Sequence, residues 1–307
     1  MTVKSLTRSS LVNNRWYENM LVGNAAFDPS RGVFDNAGAS TEFIQISTLG
    51  NSTSFGTIYN AGPKAGCAST TRGLFAGGLN AVTTIEFITI ASAGNSSGFG
   101  SLGAGRGSIG ACNSATIGLF GGGNSDPGDI RTDRIDTVTI ASTGNGTLFG
   151  VLTVSRRGLG SCSSSTRGVW AGGRGPNAND NFIDYVTIAS AGNALTFGSL
   201  TVARRELAGC SNSTRGVFAG GANVGNTIDY ITIATTGNAI DFGDLINTGI
   251  LYGGCSSTTR AVFPGTGSTA SIEYITIGTT GNALNFGNCL ASGGSRAALS
   301  NSNGGVQ

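Results

Sequence analysis

IASAGNALTFGSL, residues 188–200, is rewritten as IATTGNAIDFGDL at residues 233–245 and as IGTTGNALNFGNC at residues 277–289. The asparagine of this stretch recurs at Asn51, Asn95, Asn145, Asn193, Asn238 and Asn282, and four residues after each stands Phe55, Phe99, Phe149, Phe197, Phe242 or Phe286. Nine residues before each Asn is an acid: Glu42, Glu86, Asp136, Asp184, Asp229 and Glu273. The acid opens runs such as IEFITIA and IDYITIA, whose β-branched and aromatic residues favour strands. Cys112, Cys162, Cys210 and Cys255 each follow the phenylalanine by thirteen residues, and Cys67 follows Phe55 by twelve. Five residues further on come Arg72, Arg167, Arg215 and Arg260, with Ile117 in one copy.

The period is 44 to 50 residues, and each unit reads as four short strands. Strand A is of the LAGCS type, B of the GVFAG type, C of the IDYITI type and D of the LTFGSL type. One such unit cannot bury both of its faces, whereas units stacked around an axis bury them all and protect the sheet edges. The fold class expected is all-β, a single β-propeller of four-stranded blades. The pattern resembles the kelch repeat family: a strand rich in small residues, a strand ending in Gly-Gly, a tyrosine-bearing strand, then a turn and an outer-strand aromatic. That aromatic is Phe in all six copies where kelch has Trp. The Gly/Ser/Thr/Asn-rich wording also resembles virion proteins of tailed phages, marine cyanophages especially.

Six units span residues 23–290. Continued past them, the spacing puts Leu299 in the cysteine place and Gly304 in the arginine place, while AAFDPSRGVFDNAG near the start puts Ala26 and Arg31 there. Seven blades are therefore favoured over six, with residues 1–22 giving outer strands of a closing blade and residues 291–307 its inner strands. The Ser/Thr-x-Gly-Asn stretch is expected to be a tight turn using positive φ. Phe would pack between blades, and the following Gly would let backbones approach.

Composition narrows the function. The 307 residues carry a net charge of +2, no histidine, and lysine only at Lys4 and Lys64, so no basic field for nucleic acid is present. Neither a signal peptide nor a membrane span is visible. GRGSIG, residues 105–110, matches GxGxxG but takes the place of SRRGLG in the next unit and precedes no helix pattern, so a dinucleotide site is not expected. The cysteines form no CxxC pair; they read as reduced, metal-free, small buried residues near the axis, with Cys289 out of register. The acids, spread one per blade, are too far apart for paired acid–base work. Their expected partners lie in the D-to-A segments: Arg106, Arg156, Arg157, Arg204 or Arg205.

No enzyme activity and no cofactor are expected. One spacing varies: from the strand B aromatic to the acid runs 8, 11, 16, 14, 11 and 10 residues. The longest loops, before Asp136 and Asp184, gather Asp126, Asp129, Arg131, Asp133, Arg134, Arg174 and Asp180 on a chain otherwise poor in charge. Variable loops on a repetitive scaffold suit recognition. The expectation is a noncatalytic structural or recognition propeller in a virion, multi-copy, docking through this rim on other virion proteins or on a host surface glycan or protein. The alternatives are a glycan-acting propeller enzyme and a cellular kelch-like interaction scaffold.

Overall fold

The four-strand repeat folds as six antiparallel sheets of four strands. The computed structural model describes residues 30–302, apart from positions 37, 63, 79, 81, 126, 127, 223, 252, 266–268, 294 and 295. Taken in the order A to D, blade 2 is Lys64–Ala68, Arg72–Gly77, Thr84–Thr89 and Ser97–Ser101. Blade 3 is Gly110–Asn113, Ile117–Gly121, Arg134–Thr139 and Thr147–Val151; blade 4 is Gly160–Ser163, Arg167–Ala171, Phe182–Thr187 and Leu195–Ser199. Blade 5 is Ala208–Ser211, Arg215–Ala219, Thr227–Thr232 and Ile240–Asp244; blade 6 is Cys255–Ser256, Arg260–Pro264, Ser271–Thr276 and Leu284–Asn288.

Blade 1 joins the two ends of the described chain. Its strands B to D are Arg31–Asp35, Ser40–Gln45 and Thr53–Thr57, and its strand A is Ala298–Ser300. Leu299 lies opposite Val33 as Cys67 lies opposite Leu74, so Leu299 does hold the cysteine place. Among the described residues the blades number six, the alternative that the spacing left open, and not the seven it favoured. The reason is that the C-terminal strand takes the free inner edge of blade 1 and thereby closes the ring. Ser300 Oγ donates to the Ser256 carbonyl of blade 6 at 2.7 Å, and on the other side Gly66 of blade 2 backs onto the Ala298 carbonyl. Residues 1–22, assigned to outer strands of a closing blade, and Ala26 lie outside the described residues.

The core consists of six hydrophobic layers, each shared by two consecutive blades. Strand B, with a neighbour on each side and a blade against each face, is buried at four of five positions in RGVWA and RGVFA. Phe197 packs with Ile231, Ile233 and Ala239 of the following blade, so the repeated phenylalanine is an interblade residue as expected. At ~25 cal/mol per Å² of apolar area, this layered burial is the main stabilising term. Among the described residues no helix is long and apolar enough to cross a membrane.

Candidate functional site

Nearly all of the repeated polar residues fasten one blade to the next. At every C–D pair a register shift falls just before the acid, as between Ile183 and Asp184. Such a bulge re-aims one side chain, and the acid it re-aims caps the end of the preceding blade's strand D. Asp184 accepts from Thr153 N and Thr153 Oγ1, Asp229 from Thr201 N and Oγ1, Glu86 from Tyr59 N, Glu273 from Ile246 N, Glu42 from Leu290 N and Asp136 from Gly103 N. All six acids are buried. Four also face a buried arginine in the segment leading into their own blade: Arg106–Asp136 at 2.9 Å, Arg156–Asp184 at 2.6 Å, Arg204–Asp229 at 2.9 Å and Arg296–Glu42 at 3.5 Å. Burial pushes the guanidinium pKa of Arg106, Arg156 and Arg204 down, and the facing carboxylates oppose it.

The Gly-Asn motif is corrected from a positive-φ turn to an interblade clasp. The reversal itself lies earlier, where Ser190 N bonds Thr187 O. Gly192 N then donates to Phe149 O, Ala194 N donates to Val151 O, and Asn193 Oδ1 accepts from Val151 N, all across the boundary to blade 3. The same three bonds recur at all six boundaries; at the ring closure they join Gly50, Asn51 and Ser52 to Phe286 and Asn288. Positive φ is found at two of the six motif glycines, Gly50 at 156° and Gly281 at 152°, and not at Gly94, Gly144, Gly192, Gly237 or the six asparagines. The clasp also occupies part of the outer edge of each strand D, an edge that would otherwise template pairing. The glycine of Phe-Gly is required by this approach: a Cβ on Gly198 would collide with the Gly237 carbonyl.

The strand B arginines make a second clasp. Arg72 stacks on Phe87 at 4.5 Å and donates to Ile140 O and Ala141 O of blade 3; Arg215 stacks on Tyr230 at 4.3 Å and donates to Ile277 O of blade 6. Blade 3 lacks both halves, with Ile117 for the arginine and Thr137 for the aromatic. Its boundary with blade 4 holds Trp170 instead, whose Nε1 donates to Gly110 O at 3.1 Å.

The strand A cysteines lie near the axis, as expected, and Cys162, Cys210 and Cys255 border the axial cavity. Each strand A cysteine projects toward the following blade, Cys112 against Gly168 and Cys162 against Gly216, and all six cysteines are free and buried. Burial pushes Cys67 and Cys255 up to about 12. Cys289 sits three residues after Phe286, in the buried place held by Leu200 and Leu245 in sister blades, so it acts there as a small apolar residue. Among the described residues no group of three or more His, Cys, Asp or Glu is placed to hold a metal ion. The axis itself holds a cavity of about 40 Å³ lined by residues such as Gly66, Ala111, Ser161 and Gly209, room for a few waters and not for an organic ligand.

One face varies. The B–C loops and D–A segments share it, as Gly107 bridges Asn124, Arg157 bridges Arg174, and Arg205 bridges Ala222. GRGSIG is therefore part of this face and runs into strand A of blade 3. The long loop of blade 3 adds a hairpin, Asn124–Ser125 with Ile130–Arg131. Asp129, at its tip, pairs with Arg131 at 2.8 Å and with Arg157 at 2.7 Å. Arg157 also reaches Glu206 at 3.7 Å, Glu206 meets Arg205 at 3.2 Å, and Arg205 donates to Asn179 Oδ1 at 3.2 Å. The chain of charges thus crosses blades 3, 4 and 5. Asp129 and Glu206 both have left-handed backbones, φ 49° and 59°, a conformation that Gly158 supplies without strain at the position matching Glu206 in blade 4.

Of the residues singled out from sequence, Asp129 and Arg131 are brought together here. Arg174 joins through its backbone, bridged to Arg157 and Asn179. Asp180 lies beside it, with its carboxyl pushed up by burial and Arg156 opposing. Arg134 pairs with the buried Asp136 while staying 29% exposed at the rim, Asp133 accepts from Leu152 N through its carbonyl, and Asp126 lies outside the described residues. Arg157, Arg205 and Glu206 complete the network; Arg157 and Arg205 were candidate partners of the strand C acids, but their neighbours Arg156 and Arg204 take that place.

Fold and site together define a six-bladed β-propeller whose repeated polar residues lock the blades and whose charged rim lies over blades 3 to 5. No protein family model matches the chain, and no curated protein matches it.

Proposed function

We propose that this chain is a noncatalytic structural and recognition propeller, a multi-copy component of a phage particle, that docks on another particle protein or a host surface through the rim of blades 3 to 5. The kelch-like wording of the repeats and their likeness in style to phage virion proteins motivate the particle reading; the propeller fold supports an interaction or structural role. The observation that carries the docking reading is the network Asp129–Arg157–Glu206–Arg205, which concentrates charge and two left-handed acidic residues on the one face where loop length varies. The repeated acids, asparagines and arginines are engaged in holding blades together, which favours a scaffold over a reaction centre.

The test is to shorten the blade 3 loop at residues 125–130 and the blade 4 loop at residues 175–179, then measure binding to intact particles by co-sedimentation. Circular dichroism and melting temperature check folding. Lost binding with retained fold is the expected result, and unchanged binding would rule the rim out.

A further inference from the structure

Blade 3 departs from its sisters at one point on the rim. In blades 4 and 5 one buried arginine meets one buried carboxylate, Arg156 with Asp184 and Arg204 with Asp229, and a threonine hydroxyl, Thr153 or Thr201, completes the carboxylate's partners. In blade 3 the threonine place is Gly103 and a second guanidinium enters: Arg134 lies 2.7 Å from Asp136 Oδ1 while Arg106 lies 2.9 Å from Oδ2. A Cβ on Gly103 would collide with Arg134, so the missing side chain and the extra cation are one substitution seen from two sides. Two positive charges therefore share one negative charge.

Among the described residues no second carboxylate pairs with either guanidinium. Arg106 is 1% exposed, and its Nε and NH1 have no hydrogen-bond partner among the described residues; its counterparts Arg156 and Arg204 leave only Nε so. Arg134 fills the space beside Gly103 and remains 29% exposed, so part of its guanidinium meets solvent. An unmatched guanidinium in a partly dry site attracts an oxyanion strongly, and the planar fork of Arg134 suits a carboxylate. A polyanion is disfavoured, because Asp129, Asp133, Asp180 and Glu206 stand on the same rim. We propose that Arg134, with the buried Arg106 behind it adding positive charge, donates hydrogen bonds to one carboxylate side chain of a peptide segment on the docking partner, an assignment that rests on the rim reading and names the chemistry recognised there.

The experiment uses purified full chain and a capped peptide with a single carboxylate, acetyl-Ala-Glu-Ala-amide, with the Ala-Gln-Ala peptide as neutral control. Binding is read by isothermal titration calorimetry for both proteins, and in the unsubstituted chain also by the ¹⁵N resonance of the Arg134 side-chain Nε during titration. The double variant Gly103→Thr with Arg134→Thr restores the arrangement of the sister blades and removes the excess charge; melting temperature verifies its fold. A saturable shift with the acidic peptide alone, an affinity that falls as salt rises, and binding by the double variant weakened at least tenfold are expected. Equal shifts with the neutral peptide, or unchanged binding by the folded double variant, would overturn the proposal. Saturable binding of inorganic phosphate with none of the acidic peptide would overturn it too and assign the site to a free anion. Loop shortening leaves Gly103, Arg106 and Arg134 in place, so failure here and failure of the rim reading are separate results.

Discussion

Asn238 of blade 5 accepts a hydrogen bond from the backbone N–H of Ser199 in blade 4 at 3.1 Å, and the glycine before it bonds the carbonyl of Phe197. The motif that reads locally as a turn is a long-range fastening. Asn238→Ala removes one exposed hydrogen bond and should cost about 0.5–1 kcal/mol. Gly198→Ala, which forces the two backbones apart, should cost about 1–3 kcal/mol. Urea denaturation of both variants checks the order; a larger loss for the asparagine variant would mean that the side chain, not the backbone approach, holds the blades.

Arg156 and Asp184 are both at most 1% exposed and 2.6 Å apart. Arg156→Met leaves a buried carboxylate without its cation and should destabilise by about 3–5 kcal/mol, while Arg156→Met with Asp184→Asn should recover much of that loss. A double-mutant cycle in urea measures it. Equal losses in the single and double variants would show that the ion pair adds only packing.

The thiols give a pH dependence with a definite sign. Cys67 and Cys255 are raised from 9.0 to about 12 by burial, so the folded state holds the proton that the unfolded state gives up. Their contribution is full below pH 9 and is lost as pH rises toward 12, at about 1.4 kcal/mol per unit for each thiol. Stability should therefore fall steeply above pH 9, and Cys67→Ala should flatten that fall. Reaction with a thiol reagent at pH 8 should be negligible in the native protein and reach all six cysteines after denaturation. Rapid native labelling would contradict the interblade placement.

Ala298–Ser300 supplies the inner strand of blade 1, and Ala297 N donates to the buried Asp35 at 2.9 Å. Deleting residues 291–307 strips that edge and opens the ring between blades 6 and 1. A melting temperature lower by at least several degrees, with aggregation, is expected in calorimetry. Unchanged melting would show that the ring does not depend on this strand.

The strands and their register were legible because the acid, asparagine, phenylalanine and cysteine keep fixed spacings. The blade number was not. Leu299 breaks the cysteine series at the closing strand, and SRGVFDNAG at the other end holds a true strand B, Arg31–Asp35, so local pattern leaves the blade count open while pairing of distant ends makes six among the described residues. The clasp was hidden because Gly-Asn serves equally in a hairpin turn and in a contact that depends on a neighbour 38 to 44 residues away, as in Thr57 with Asn95 and Ser101 with Asn145. The loops with Asp129 and Arg131 showed in length and charge. Glu206 did not, since its role depends on a left-handed backbone and on Arg157 from the preceding segment.

The most direct test of the proposed docking is residue-level footprinting of carboxylates and exposed side chains in the isolated chain and in the particle proposed to contain it. Protection of Asp129, Arg131, Asp133 and Arg134 on assembly, with the C–D turns around Thr236 and Thr280 equally reactive in both states, is the predicted result. Protection confined to those turns, with the rim of blades 3 to 5 unchanged, would contradict it.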